Sequence, residues 1–227
     1  MLNFLRKVFY VTQTEEYCRE WLRNQAALIP AGSMVLDAGA GQCQYKSFFK
    51  NHEYVALDLC VGDDQWDFSH IDIKAPLHDI PVVDATFDHI VCTQVLEHVP
   101  NPIEVMRELG RVCKPGGTLL LAVPFSAREH QIPHDFYRYT RFGLEYLLAE
   151  GQWNVERIDS VRGDMYRLYC VLCETGYHFK GSHRRKLAQF PLMVFKAFLA
   201  ATLSYYEKFE VDDHGTGAWH VIGRRRT

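Results

Sequence analysis

Residues 34–41 read MVLDAGAG, and the fold turns on how that stretch is read. Met34-Val35-Leu36 is a short run of apolar strand formers that passes directly into Asp37-Ala38-Gly39-Ala40-Gly41. Two glycines at such a turn allow the backbone to come close to a ligand, and a helix is expected to follow as far as Lys50. Working outward, Tyr54-Val55-Ala56-Leu57 forms a second strand that ends at Asp58, and Phe87 to Cys92 forms a third clear one. Thr118 to Val123 has no polar alternation, which predicts a strand buried on both faces. Trp153 to Val161 and Ala218 to Ile222 read as two late strands.

Helices fill the gaps between these strands. Thr12 and Glu15 can form a capping box for a helix over 12–28, stopped by Pro30-Ala31-Gly32. Asn101-Pro102-Ile103-Glu104 supplies an N-cap, a proline at the first helical position and an acid in the first turn. Pro115-Gly116-Gly117 is expected to stop that helix. Thr140 caps another, which runs to Glu150 and ends at Gly151. Strands alternating with helices predict an α/β fold with a mostly parallel sheet and helices on both faces.

Composition narrows the class. A formal net charge of −3 argues against a broad polyanion-binding surface. The basic clusters His183-Arg184-Arg185-Lys186 and Arg224-Arg225-Arg226 are read as a solvated loop or helix end and a tail. Seven cysteines, an odd and scattered set, indicate reduced, intracellular usage and a cytoplasmic setting. Cys170 and Cys173 have redox-like spacing without a second such pair, and are read as buried thiols. The N-terminal MLNFLRKVFYV lacks a small-residue cleavage site, and no uncharged apolar run approaches the roughly 20 residues that span a bilayer.

Ligands of such sheets sit beyond the carboxyl ends of the strands, where Asp37, Gly39, Gly41 and Asp58 fall. An acid at the end of the second strand suits a ribose diol, which leaves a dinucleotide or a smaller adenosine-containing cofactor. The dinucleotide fingerprint wants a small residue at position 44, where this chain has Gln44. Asp37 in the turn would also repel a pyrophosphate and suits a positively charged ligand instead.

The succession VLDAGAG, VALDL, FDHIVCTQVLEHVPNP and VCKPGGTLLLAVPF resembles that of class I S-adenosylmethionine-dependent methyltransferases, of the type 11-like, small-molecule kind. It covers Met34 to Pro124 closely and the flanking elements more loosely. The resemblance implies a Rossmann-like seven-stranded sheet and S-adenosyl-L-methionine as cofactor. It implies that Asp37, Gly39, Ala40 and Gly41 line the methionine end, that Asp58 holds the ribose hydroxyls, and that Leu59 packs beside the adenine. Asp72 with Ile73 is assigned to the adenine amino group, with Asp79 as the other register. Thr93, Gln94 and Val95 are expected close to the sulfonium and its methyl. Cys43 stands where many relatives have a third small residue. Glu97-His98 is read as hydrogen-bonded scaffold.

After the last core strand comes Glu129–Thr140, EHQIPHDFYRYT. Pro133 breaks any helix between His130 and His134, so helical zinc geometry is not expected and no metal is assigned. Methyl transfer to a hydroxyl needs alignment and removal of a proton. His134 beside Asp135 is the first candidate base and His130 the second; Tyr137, Arg138 and Tyr139 shape the acceptor pocket or clamp an acidic substrate. The other reading makes His134 a brace and the tyrosines and arginine ties to the next helix. PHDFYRYT also resembles a subset of bacterial small-molecule methyltransferases linked with glycan assembly.

The expected organisation is a single domain: a helical cap over 1–30, a cofactor core over 31–162, a helical insert over 163–216, then the last strand and basic tail over 217–227. The insert is read as a lid or homodimer interface; contact of 183–209 with a membrane surface or lipid-linked acceptor is the alternative. The chain is thus expected to O-methylate a small-molecule acceptor, with a non-catalytic cofactor-binding scaffold or a protein methyltransferase as the alternative functions. Nucleic-acid bases are disfavoured as acceptors, because TQVLEH lacks the Asn/Asp-Pro-Pro-aromatic pattern that grips an exocyclic amine.

Overall fold

The computed structural model describes residues 13–62, 65–164 and 215–227, with single positions or pairs between 167 and 206. The described chain falls into two compact units: Cys18–Asp159 with Trp219–Thr227, and Met1–Tyr17 with Ser160–Ala218. Thr12, Cys170, Cys173 and residues 183–186 lie outside the described residues, as does most of 183–209. Positions described between 164 and 206 are helical, in keeping with a helical insert. No described helix is long and apolar enough to cross a membrane.

Helix α1 spans Gln13–Ala26, followed by strands β1 (Met34–Ala38), β2 (Glu53–Asp58), β3 (Ile73–Lys74) and β4 (Phe87–Thr93). Helix α2 (Pro102–Val112), strand β5 (Cys113–Pro124), helix α3 (Arg141–Glu150) and strands β6 (Trp153–Ser160) and β7 (Ala218–Arg225) complete the order. The seven strands form one sheet in the order β3-β2-β1-β4-β5-β7-β6. The ladders of β1 with β2 and β4, β2 with β3, and β4 with β5 are parallel. The chain leaves β1 toward β2 on one side and returns to β4 on the other, which makes the gap beyond β1 and β4 the switch point.

Strand periodicity separates two cores. Leu36, Ile90, Cys92, Leu119 and Leu121 join Val105, Met106 and Leu109 of α2 and Leu144 and Leu148 of α3. Their alternating neighbours Val35, Val91, Leu120 and Ala122 join Cys18, Trp21 and Leu22 of α1. Successive side chains point to opposite faces of a strand, so these strands bury both. The caps are as expected: Asn101 accepts from the Glu104 amide at 3.4 Å, and Thr140 Oγ1 from the Gly143 amide at 3.1 Å.

Three expectations are corrected. No α-helix follows the glycine turn, where turns lead into a short 3-10 segment over Lys46–Phe49. Gly39, Gly41 and Cys43 all take positive φ, at 83°, 53° and 54°, which an α-helix cannot absorb. Helix α2 ends at Val112, before Pro115-Gly116-Gly117, which lie inside β5. Arg224 and Arg225 of the basic tail lie in β7, and all three arginines are engaged: Arg224 with Glu156, Arg225 with the Gly110 carbonyl, Arg226 with Asn154.

Candidate active site

The glycine turn is built by β2. The amides of Gly39 and Ala40 donate to the Leu57 carbonyl at 2.8 and 3.0 Å, bending the chain back over the end of β2. The Gly41 amide then donates to Asp58 Oδ2 at 2.9 Å, and Asp58 Oδ1 accepts from the Cys60 amide at 2.6 Å. Asp58 therefore fixes the turn and its own loop together, while each oxygen keeps a lone pair for a further donor. A methyl on Gly39 would lie 2.7 Å from Val95 Cγ1, so Val95 closes one wall of the turn. At Gly41 nothing lies within 4 Å of that position, which leaves the turn open on the side a ligand would take.

Asp37 is only 1% exposed, and Tyr54 donates to its Oδ2 at 2.5 Å. Burial pushes its carboxyl up to about 6, against the lowering effect of the Tyr54 hydroxyl. A buried carboxylate in that condition has a standing preference for a cationic neighbour. Across the switch point, Gln94 follows β4 in the left-handed region at φ 55°, its backbone amide tied to the Ala122 carbonyl. Its side-chain Nε2 is buried without a hydrogen-bond partner among the described residues. Half-buried Ile73 and largely buried Thr93 line neighbouring strand ends, and Leu59 is exposed beyond Asp58. Asp72 accepts from the Ala56 amide through Oδ2 at 2.8 Å, which anchors the β3 side of the rim. An acid, an open glycine turn, a ribose-competent carboxylate and an unpartnered amide fit an adenosyl sulfonium carrying an amino-acid end.

The loop EHQIPHDFYRYT folds back over the residues that follow β4. The Phe136 and Tyr137 amides donate to the Glu97 carbonyl at 2.9 and 3.2 Å, and Tyr139 Oη to the Leu96 carbonyl at 2.7 Å. Its scaffold is Asp135, which receives Arg138 on both oxygens at 2.7 and 2.8 Å and the His130 amide at 2.9 Å. The Arg138 guanidinium holds the Asp135 carboxyl well below the usual carboxylate range. Asp135 thus faces Arg138 and His130 instead of serving His134, its sequence neighbour. The His134 ring is exposed, and its carbonyl is what the loop uses, lying 2.6 Å from His98 Nδ1. Tyr137 Oη is committed to the Pro100 carbonyl at 2.9 Å. The tyrosines and Arg138 tie the loop to the end of β4 and to itself.

Glu97 and His98 are hydrogen-bonded to the loop through the Glu97 carbonyl and His98 Nδ1, but the Glu97 side chain is 0% exposed with neither carboxylate oxygen partnered among the described residues. Burial pushes its carboxyl up to about 8. His98 Nε2 lies 3.8 Å from Glu97 Oε1, too far for a hydrogen bond, and the His98 and His130 rings meet edge to face at 4.7 Å. Periodicity does not mark this site, because the loop that bonds the Glu97 carbonyl lies some 40 residues later in the chain.

Residues 10–162 match a family described as a methyltransferase domain, which is more than half of the chain. The chain belongs to the class I S-adenosylmethionine-dependent methyltransferases. Among curated relatives it is similar to Methyltransferase GfsG of Streptomyces halstedii, at 30% identity over 41% of this chain and 38% of that one. It is also similar to the Ubiquinone biosynthesis O-methyltransferase of Dechloromonas aromatica, at 32% identity over 40% of this chain and 36% of that one. The aligned segment spans less than two fifths of the length of either relative. In fold it resembles the 1,6-didemethyltoxoflavin-N1-methyltransferase of Burkholderia thailandensis, solved with bound 1,6-didemethyltoxoflavin and S-adenosylhomocysteine, with a TM-score of 0.58 and 15% identity. That likeness covers 96% of this chain and 82% of the other. As a methyltransferase, the chain has its cofactor in S-adenosylmethionine.

Proposed function

We propose that this methyltransferase transfers a methyl group to an oxygen of a small-molecule acceptor. The observation that carries the reading is one continuous turn of chain: Val95 walls the glycine cradle, and Glu97 and His98 follow it under the acceptor-side loop. When bound, S-adenosylmethionine supplies an electrophilic methyl on a sulfonium with a good leaving group. Asp58 holds the ribose hydroxyls, and Asp37, oriented by Tyr54, holds the cationic amino-acid end. Gly39, Ala40 and Gly41 let that end lie against backbone, and Gln94, Thr93 and Val95 border the methyl. Leu59 covers the adenine; Asp72 keeps Oδ1 for its amino group, with Ile73 beside it.

On the acceptor side, His130 is held by Asp135, with 3.4 Å between Nδ1 and Oδ2, and stands over His98. We assign activation of the acceptor hydroxyl to this His98–His130–Asp135 cluster instead of to His134, which is exposed and has no carboxylate bonded to its ring among the described residues. Tyr137, bonded to a carbonyl, shapes the pocket. The likeness to a protein named for ubiquinone biosynthesis O-methylation supports oxygen as the accepting atom. A panel of phenolic and sugar hydroxyl acceptors, read out as S-adenosylhomocysteine formed, tests the assignment. His130→Ala is expected to cost at least a hundredfold in kcat with cofactor affinity intact, and His134→Ala less than threefold. Turnover restricted to nitrogen or sulfur acceptors, or a reversed order of the two variants, overturns the reading.

A further inference from the structure

One group of metal-ligating side chains stands out among the described residues. Glu97, His98 and His130 each offer a ligand atom, and the three atoms lie within 4.8 Å of one another. We propose that these three residues bind a divalent transition-metal ion of the zinc class at the acceptor side of the active site. The site is argued from its own geometry and deepens the function proposed above.

Both histidines hold the tautomer that a metal ligand needs. His98 Nδ1 lies 2.6 Å from the His134 carbonyl and His130 Nδ1 lies 2.9 Å from the Arg128 carbonyl. A ring nitrogen facing a carbonyl oxygen carries the hydrogen, so the lone pair of each neutral ring sits on Nε2. Metal-binding histidines are prepared in this way, with the other nitrogen donating to a carbonyl or carboxylate. Asp135 supplies the carboxylate part of that support, 4.0 Å from His98 Nδ1 and 3.4 Å from His130 Nδ1.

The Glu97 and His98 donor atoms are also left unsatisfied by the described residues. His98 Nε2 and both Glu97 oxygens are buried with no hydrogen-bond partner among the described residues. A buried carboxylate without a donor costs several kcal/mol unless a cation or a proton discharges it. Their separation of 3.8 Å suits two ligands of one ion, since bonds of about 2.1 Å at tetrahedral angles put donors about 3.4 Å apart. His130, with a side chain 39% exposed on its loop, supplies the third ligand from the solvent side. Arg138 Nη2 comes within 3.4 Å of His130 Nδ1, but its charge is matched by Asp135 on both oxygens.

The donor set decides the metal. Two imidazoles and one carboxylate suit zinc, cobalt or ferrous iron, and disfavour magnesium and calcium, which take oxygen ligands. Three protein ligands leave at least one position open, as in catalytic sites. With an ion held by Glu97, His98 and His130, a hydroxyl oxygen in that position would release its proton to bulk water near neutral pH. The histidines assigned above to acceptor activation would then act through the ion they hold, and not as free bases.

The experiment uses the full chain, stripped with a chelator and dialysed, then titrated with Co2+ under visible absorption and competed with Zn2+. Expected are one Co2+ per chain with the ligand-field bands of a nitrogen–oxygen site, and displacement by one equivalent of Zn2+. Glu97→Gln and His130→Ala should each weaken Co2+ binding at least a hundredfold, and Asp135→Asn about tenfold. His130→Ala changes only an exposed loop, so it stays informative if Glu97→Gln fails to fold. Absence of those bands in the unsubstituted chain overturns the proposal. So does Co2+ binding that survives His130→Ala, including binding with thiolate charge-transfer bands from the cysteines. None of these readouts needs turnover. A lost methyl transfer with intact Co2+ binding would count against the oxygen-acceptor reading alone.

Discussion

Arg111, near the amino end of β4, donates to Glu108, to Asp84 and to the carbonyls of Ile80 and Val82, whereas Glu97, past the carboxyl end of the same strand, is buried with neither carboxylate oxygen paired among the described residues. The contrast extends beyond these two. At the amino end, Lys114 meets Asp88 at 2.7 Å, and Asp88 also accepts from the Met34 amide. The buried atoms left unpartnered near that end are ring nitrogens of His52 and His89, not carboxylates. The carboxyl end holds Asp37 with a raised pKa, an orphaned Gln94 amide and left-handed Gln94, Cys43 and Cys60. At the amino end the carboxylates named are paired, whereas at the carboxyl end the buried Glu97 carboxyl and the Gln94 side-chain amide have no partner among the described residues.

Gly39→Ala should give the largest effect on the unsatisfied end. It adds a methyl 2.7 Å from Val95 Cγ1 at a φ of 83°, so both overpacking and backbone strain apply. We expect a stability loss of about 3–4 kcal/mol by urea unfolding, partly restored by adding Val95→Ala. No restoration would mean that the Val95 wall is not what the glycine is for. Asp58→Ala comes next. It removes the acceptor for the Gly41 and Cys60 amides as well as the ribose contact, and the cofactor Kd by calorimetry should rise about a hundredfold. An unchanged Kd would remove Asp58 from the site. Arg111→Ala is the control at the other end, costing about 2 kcal/mol of stability with cofactor affinity unchanged. A matching loss of affinity would break the contrast between the two ends.

Much of this contrast was legible in the sequence, and the illegible part has a common cause. Strands β1, β2, β4 and β5, the Asn101 and Thr140 caps and the glycine turn all follow from local rules: apolar runs, cap chemistry and positive-φ residues. The absent helix after Gly41 was masked because Cys43 is an ordinary residue held left-handed by tertiary context. The loop from Glu129 to Thr140 was placed at the correct rim, but its partner was not. His134 looked paired with Asp135 because they are adjacent, while folding turns Asp135 toward Arg138 and His130. The Glu97-His98 pair is tied to the loop as a scaffold, but nothing local indicates that the Glu97 carboxyl is buried without a partner among the described residues. Pairings across long loops leave no periodicity to read.

The pH dependence of Asp37 tests the unsatisfied end more finely. Its folded pKa of about 6 lies above the ordinary carboxylate value of 3.8. Its contribution to the stability of the cofactor-free protein is therefore full below pH 4 and lost as pH rises toward 6 and through it. A cationic ligand prefers the ionised form, so cofactor affinity should move the other way. It should rise by up to about tenfold per pH unit below 6 and level off above it. Asp37→Asn keeps an oxygen for Tyr54 and should flatten both profiles. Parallel profiles in the two proteins would show that another group carries the charge.

The smallest effect is expected at Gly41, and it separates folding from binding more cleanly than any of the others. A methyl there meets nothing within 4 Å, so Gly41→Ala incurs only the strain of a left-handed alanine, about 1 kcal/mol. Gly39 and Gly41 stand two residues apart in one turn, yet the first is packed against protein and the second faces open space. If that space belongs to the cofactor, the same methyl should weaken cofactor binding about tenfold while the melting temperature moves by only a few degrees. Calorimetry with S-adenosylmethionine beside a thermal melt reads both quantities on one preparation. A Gly41→Ala protein that binds as tightly as its parent would place the ligand on the other side of the turn, away from Asp58.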